Sequence, residues 1–70
     1  MFGEFLSQKM EEKNFGVDDL ARLTGIPEHY ISALIEENFS HLPAHVFTRG
    51  YLKKIAAVID TDEEELWQFY

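Results

Sequence analysis

Apolar side chains recur every three or four residues along the whole chain, and this spacing restricts the fold more than any other feature. No stretch alternates apolar and polar residues over the length of a strand. Residues that favour turns, mainly Gly, Pro and Asn, divide the pattern into short segments of helical length. The sequence therefore predicts an all-α domain of five helices.

The helix boundaries follow from the apolar stripes and from residues that start or stop helices. The predicted helices cover about 2–13, 17–23, 27–37, 44–59 and 61–70, with Pro43 opening the fourth. Leu23 is expected to point into the core, and Asn38 to end the third helix in a left-handed conformation. Thr61 and Glu64 have the spacing of a capping box at the start of the fifth helix.

Length and composition limit the chain to one small domain, covering residues 1–70. Seventy residues leave no room for a separate catalytic domain, and without cysteine the fold must be held by packing alone. Thirteen Asp and Glu against six Lys and Arg give a net charge of −7, which repels polyphosphates and favours basic protein surfaces. No apolar run approaches the roughly 18 residues of a membrane span. These properties favour a binding module.

The second and third helices, about 17–37, have the layout of a repressor-like helix-turn-helix with a short Gly25-containing turn. The second helix of such a pair normally reads bases through Arg, Lys, Asn or Gln. The residues expected on its exposed face here are Glu28, His29, Ser32, Glu36 and Glu37. These acidic side chains favour a scaffold that binds a protein, and a sequence-specific DNA-binding domain is the alternative.

The fourth helix carries two stripes when its residues are placed at about 100° per residue. The stripe expected to face the core consists of Thr48, Leu52, Ile55, Ala56 and Ile59. The second consists of Phe47, Tyr51, Lys54 and Val58. Aromatic rings beside a lysine stem are typical of protein interfaces, although in so small a domain the same rings could close the core. The sequence leaves both possibilities open.

The segment that follows the helix-turn-helix resembles the cytoplasmic domains of the RodZ family of bacterial cell-shape proteins. The resemblance covers nearly the whole chain and is carried by Asn38-Phe39, Leu42-Pro43-Ala44, Phe47, Arg49-Gly50-Tyr51-Leu52 and Asp62-Glu63-Glu64. It implies a domain that binds the bacterial actin MreB at the inner face of the membrane, within a longer protein whose transmembrane segment lies outside this sequence.

What the resemblance implies for single residues can be carried over position by position. The aromatic contacts to MreB fall on Phe47 and Tyr51, and the supporting basic contacts on Arg49, Lys53 and Lys54. Many relatives have an aromatic residue where this chain has Ile55. The implied function is a noncatalytic adaptor that links the cytoskeleton to the membrane and the wall-building machinery in rod-shape maintenance.

Enzymatic and metal-binding functions find little basis in the sequence. His41 and His45 are four residues apart, but Pro43 interrupts the helical turn between them and no further ligand completes a metal shell. Ser32 and His29 lie on one exposed helix, where no oxyanion site or shielding from water is expected. The chain is therefore predicted to be a monomeric domain without enzymatic activity, cofactor or metal. Self-association through the aromatic stripe remains a third possibility.

Overall fold

A computed structural model describes residues 2–42 and 45–69 of the chain, including the side chains of residues 2–42 and 48–68. The described residues form five α-helices and one 3-10 turn and contain no strand, so the predicted fold class is confirmed. The elements are α1 (Phe2–Lys13), α2 (Val17–Thr24), α3 (Glu28–Ile35), the 3-10 turn (Phe39–His41), α4 (His45–Val58) and α5 (Glu63–Phe69). Along the described part of the chain, no helix has the length and apolar composition needed to cross a bilayer.

The core lies between the faces that the apolar stripes predict. α1 packs on α3 and α5, while α4 packs on α2 and α5. The buried apolar side chains are Phe2, Leu6, Met10, Leu20, Ile26, Ile31, Ala33, Leu34, Leu52, Ile55, Ala56, Ile59 and Leu66. Phe39, half-buried in the 3-10 turn, makes a T-shaped contact with the Phe2 ring at a centroid distance of 6.2 Å.

The start of α1 lies directly against the end of α3. A Cβ atom on Gly3 would overlap the carbonyl oxygen of Ile35, so only glycine permits this approach. The Gly3 amide donates to Glu37 Oε2 at 3.1 Å. Glu37 has a left-handed backbone with φ of 58°, and the amides of Glu37 and Asn38 donate to Leu34 and Ala33 carbonyl oxygens. This pattern is a Schellman motif, which ends α3 at its contact with α1.

Two further helices end in the same way. Asn14 after α1 and Asp60 after α4 are left-handed, with φ of 59° and 62°. The next residues, Phe15 and Thr61, donate their amides back to the last helical turn. Lys13 Nζ lies 3.1 Å from Asp60 Oδ2, which joins the carboxyl ends of α1 and α4 across the surface.

The helix-turn-helix begins with a carboxylate at the start of α2. Asp19 Oδ2 accepts the Gly16 amide at 2.9 Å, and Asp19 Oδ1 accepts from Arg22 at 3.1 Å. The Gly16 hydrogen bond, followed by that of Arg22, lowers the pKa of Asp19 below its ordinary value. The turn itself depends on Gly25, whose φ of 77° suits glycine, and on Thr24 Oγ1, which accepts the Ile26 amide.

Three sequence expectations are wrong: one concerns the burial of Leu23, and two concern helix ends. Leu23 is 46% exposed, because Leu20 and Thr24 supply the inward face of α2 and Leu23 lies about 60° from Leu20 on the opposite side from Thr24. The left-handed residue after α3 is Glu37, which the Gly3 contact holds, whereas Asn38 has φ of −93°.

The third error concerns the start of α5. Asp62 Oδ1 accepts the Glu64 amide at 2.8 Å, so Asp62 supplies the cap that was expected from Thr61. Thr61 donates its amide to Ala56 and therefore belongs to the end of α4. Its buried hydroxyl has no hydrogen-bond partner among the described residues.

Candidate protein-binding site

The helix predicted to bind a partner is α4, and its inner face is buried as expected. Thr48, Leu52, Ile55, Ala56 and Ile59 are each at most 2% exposed. Pro43 and Ala44, at the predicted opening of this helix, lie outside the described residues, as does the side chain of Phe47. The remaining predicted contact residues are all at the surface: Tyr51 is half-buried, and Arg49, Lys53 and Lys54 are exposed.

These surface residues occupy two flanks of α4. Placed at about 100° per residue, Tyr51 and Lys54 lie on one side of the exposed face, while Arg49 and Lys53 lie on the other. Tyr51 and Arg49 are about 160° apart around the helix. Gly50 lies between the flanks, and a Cβ atom added there would have no neighbour within 4 Å. A partner that contacts all of these residues would therefore have to cover the whole exposed face of α4.

The Tyr51 flank is continued by aromatic residues of α3. The Tyr30 and Tyr51 rings have centroids 5.8 Å apart and are tilted by 34°. The His29 ring also lies close to Tyr30, at a centroid distance of 4.2 Å. His29 is exposed, and both tyrosines are half-buried. Tyr51 is therefore supported by α3 while part of its ring remains accessible.

The opposite flank is continued by α5. The guanidinium carbon of Arg49 lies 4.4 Å from the centroid of the Trp67 ring, which is within the range of a cation–π contact. Arg49 remains exposed, and Trp67 is half-buried. The two flanks of α4 thus each hold one predicted contact residue against an aromatic ring of a neighbouring helix.

The pairing of the six basic residues separates α4 from the rest of the chain. Lys9 pairs with Glu12, Lys13 with Asp60 and Arg22 with Asp19, at 3.8, 3.1 and 3.1 Å. The other three are Arg49, Lys53 and Lys54, and none of them forms an ion pair with a carboxylate of the described residues. Although the chain has thirteen acidic residues, all three Lys and Arg side chains of α4 are thus without an ion pair in the described part of the structure.

The exposed face of the helix-turn-helix is acidic. Glu28, His29 and Glu36 are exposed, and Ser32 is half-buried beside them. Glu37, also expected on this face, turns back to the Gly3 amide and is half-buried. Arg and Lys, the side chains that most often contact guanine and phosphate, are absent from α3.

Tyr30 and Trp67 are site residues that the sequence did not single out for binding. Both are partly buried and pack against the core. The helical pattern places a ring near the core but does not show which neighbouring side chain its outer face will meet. Among the described residues, no three His, Asp or Glu side chains converge to hold a metal ion.

Comparison with known proteins gives two findings. Residues 5–66 match a family described as a helix-turn-helix domain. The chain is also 31% identical over 52 residues to YmfM of Bacillus subtilis, which is described as an uncharacterized membrane protein. The aligned part is 74% of this chain but only 18% of that protein, so the similarity concerns a small part of the relative. No solved structure matches.

The family match agrees with the geometry of residues 17–35. Two short helices joined through a left-handed glycine pack against each other, and α4 packs on the first of them, α2. The match covers α2, α3 and α4 in full and most of α1 and α5, which is nearly the whole domain. This chain belongs to the helix-turn-helix domain family.

Proposed function

We propose that this domain is a noncatalytic adaptor that binds the bacterial actin MreB through α4. The observation that carries the proposal is the charge distribution: the chain has a net charge of −7, yet the three basic residues of α4 are unpaired among the described residues. The half-buried ring of Tyr51 lies on the same flank as Lys54, and aromatic and basic side chains are enriched in protein interfaces. MreB is the partner proposed because the segment after the helix-turn-helix resembles the RodZ family.

The proposal is tested by cosedimentation of the isolated domain with polymerised MreB. Tyr51→Ala and Phe47→Ala should each weaken binding by at least about 1 to 2 kcal/mol, as expected for central aromatic residues. Tyr51→Phe keeps the ring beside Tyr30 and should retain most of the affinity. If the wild-type domain does not sediment with MreB, the proposed function is wrong.

Two lysine pairs offer a matched test of the charges. Lys53→Gln with Lys54→Gln should weaken binding and reduce its dependence on salt, since both side chains are exposed on α4. Lys9→Gln with Lys13→Gln changes the net charge by the same amount but lies on α1, where both lysines are already paired. Equal losses for the two pairs would mean that binding responds only to overall charge.

We further propose that the domain acts at the inner face of the bacterial membrane, as part of a longer protein. The supporting comparison is the similarity to a protein described as a membrane protein, of which this chain spans less than a fifth. In spheroplasts, an added protease should leave the domain of the full-length protein intact, and detergent should make it accessible. Cleavage before detergent would contradict this location.

DNA binding is the alternative that the helix-turn-helix family keeps open, and a footprinting experiment distinguishes it. The acidic face of α3 repels phosphate and lacks the side chains that pair with guanine. A defined footprint on duplex DNA at physiological salt would overturn the adaptor proposal. Sedimentation of the domain at high concentration likewise distinguishes a monomer from a self-associating domain.

A further inference from the structure

Arg49 is the one predicted contact residue whose charged group is held against another helix in the described structure. The indole of Trp67 on α5 covers one side of the guanidinium at 4.4 Å. A guanidinium carries five N–H donors, so a ring that covers one side of the group leaves the donors that point away from the ring able to bind. No carboxylate of the described residues pairs with it.

Arg49 has no ion pair among the described residues although the helix that carries Trp67 also carries acidic residues. Glu63, Glu64 and Glu65 occupy the first turn of α5, and Glu63 lies one turn before Trp67 on the same side of the helix. None of them forms an ion pair with Arg49. By contrast, Arg22 is held by the carboxylate of Asp19 three residues away. Arg49 thus lies against the Trp67 ring while no carboxylate of the described residues occupies its donors.

We propose that Arg49 is a preorganised binding site for an Asp or Glu side chain of the partner, and that Trp67 is its positioning residue. The inference rests on the proposed function, because the partner carboxylate belongs to MreB. An ordered guanidinium loses less side-chain entropy on binding than a free one, and its planar edge matches both oxygens of a carboxylate. Lys53, one helical turn further along the same flank, adds a second positive charge.

The contact between the two side chains can be tested in the free domain. Trp67 is the single tryptophan, so biosynthetic 5-fluorotryptophan gives one fluorine resonance. Arg49→Ala should move this resonance, whereas Lys9→Ala, on α1, should not. If the chemical shift of this resonance is the same in Arg49→Ala as in the wild type, the proposed positioning of Arg49 by Trp67 is wrong.

Binding to MreB polymer then tests the recognition. Arg49→Ala should weaken binding about tenfold, as expected for a lost charge-assisted hydrogen bond. Arg49→Lys keeps the charge but lacks the planar edge, and it should lose most of the same affinity. If Arg49→Lys binds as tightly as the wild type, charge alone suffices and the carboxylate site is wrong.

Trp67 is tested through its effect on Arg49. Trp67→Leu leaves the net charge unchanged, yet it should weaken binding about three- to tenfold and lower the salt dependence as Arg49→Ala does. Combined with Arg49→Ala it should add nothing further. Trp67→Phe is the conservative control because it retains an aromatic ring beside Arg49. Its affinity should lie within about twofold of that of the wild type. Losses that multiply in the double variant would show that Trp67 acts independently of Arg49.

The outcomes separate this inference from the proposed function. A wild-type domain that fails to bind MreB removes both. A wild-type domain that binds, together with Tyr51→Ala that does not and Trp67→Leu that binds normally, leaves the function standing and removes the role of Trp67. Thermal melts identify any variant that has lost its fold, and in that case Trp67→Phe and the exposed Arg49 variants decide the result.

Discussion

Two helical glycines in opposite surroundings give the sharpest test of the packing. At Gly3 in α1, an added Cβ would overlap the Ile35 carbonyl oxygen and lie 3.2 Å from the carboxylate of Glu37. At Gly50 in α4, the same atom would meet nothing within 4 Å. Replacing each with alanine makes the same chemical change, so any difference in stability comes from the neighbouring helix.

The expected magnitudes have opposite signs. Gly50→Ala should raise the free energy of unfolding by roughly 0.5–1 kcal/mol, because alanine is the better helix former at an exposed interior position. Gly3→Ala should lower it by about 1–3 kcal/mol, since the overlapping atom is backbone and α1 must move away from α3. That movement would also lengthen the 3.1 Å hydrogen bond between the Gly3 amide and Glu37.

Thermal melts followed by circular dichroism measure both changes. For a domain of this length, 1 kcal/mol corresponds to about 4–8 °C in Tm, so the two variants should differ by roughly 6 °C or more. If Gly3→Ala melts at or above the wild-type temperature, the close approach of α1 to α3 does not constrain the fold. The MreB affinity of Gly50→Ala adds a second reading: a partner that covers the whole exposed face of α4 should bind this stabilised variant less tightly.

Three further predictions concern the core, pH and nucleic acid. Leu52→Ala should lower the free energy of unfolding by about 2–5 kcal/mol because the side chain is fully buried, whereas Tyr51→Ala should cost less, and denaturant titration compares them. The lowered pKa of Asp19 means that its bond to Gly16 stabilises the fold above the unfolded-state pKa and is lost as pH falls through the folded-state value. Thermal melts below about pH 4 should therefore show a fall in stability, and the Asp19→Asn variant should lack the part of this fall that comes from Asp19. Finally, gel shifts should detect no sequence-specific duplex binding, and a shift that survives competitor DNA would contradict this.

The helix pattern was predictable from the sequence because apolar periodicity and burial have the same cause. α1 has the predicted bounds, and its stripe of Phe2, Leu6 and Met10 is buried. The core face of α4 was likewise predictable from angles alone. In both helices the apolar stripe is long enough to define the side that faces the core.

The wrong predictions fall in two kinds of place. In a short helix, the apolar residues do not define which side faces the core. Elsewhere, a contact with a residue distant in sequence determines the backbone conformation. α2 has eight residues, so Leu23 could be assigned inward by composition although its angle places it outside. Glu37 became the left-handed residue in place of Asn38 because its carboxylate reaches Gly3, which is 34 residues away. No local propensity contains that information.

At the candidate site, the residue types could be read from the sequence, but their contacts depend on the tertiary structure. The charges of Arg49, Lys53 and Lys54 are visible in the sequence, but their lack of carboxylate partners within the described chain depends on where thirteen acidic residues lie in three dimensions. The contact between Trp67 and Arg49 joins two helices and has no sequence signature. The contact forms because α5 packs on α4.

The half-burial of Tyr51 determines how binding data on α4 must be interpreted. Its ring lies beside Tyr30, so Tyr51→Ala removes an aromatic contact worth about 0.5–1.5 kcal/mol as well as any contact with a partner. Arg49, Lys53 and Lys54 are exposed, and replacing them changes the surface with little effect on the core. The flank of Arg49 and Lys53 therefore reports binding with the least interference from folding. Agreement between it and the aromatic flank would show that one partner covers both sides of α4.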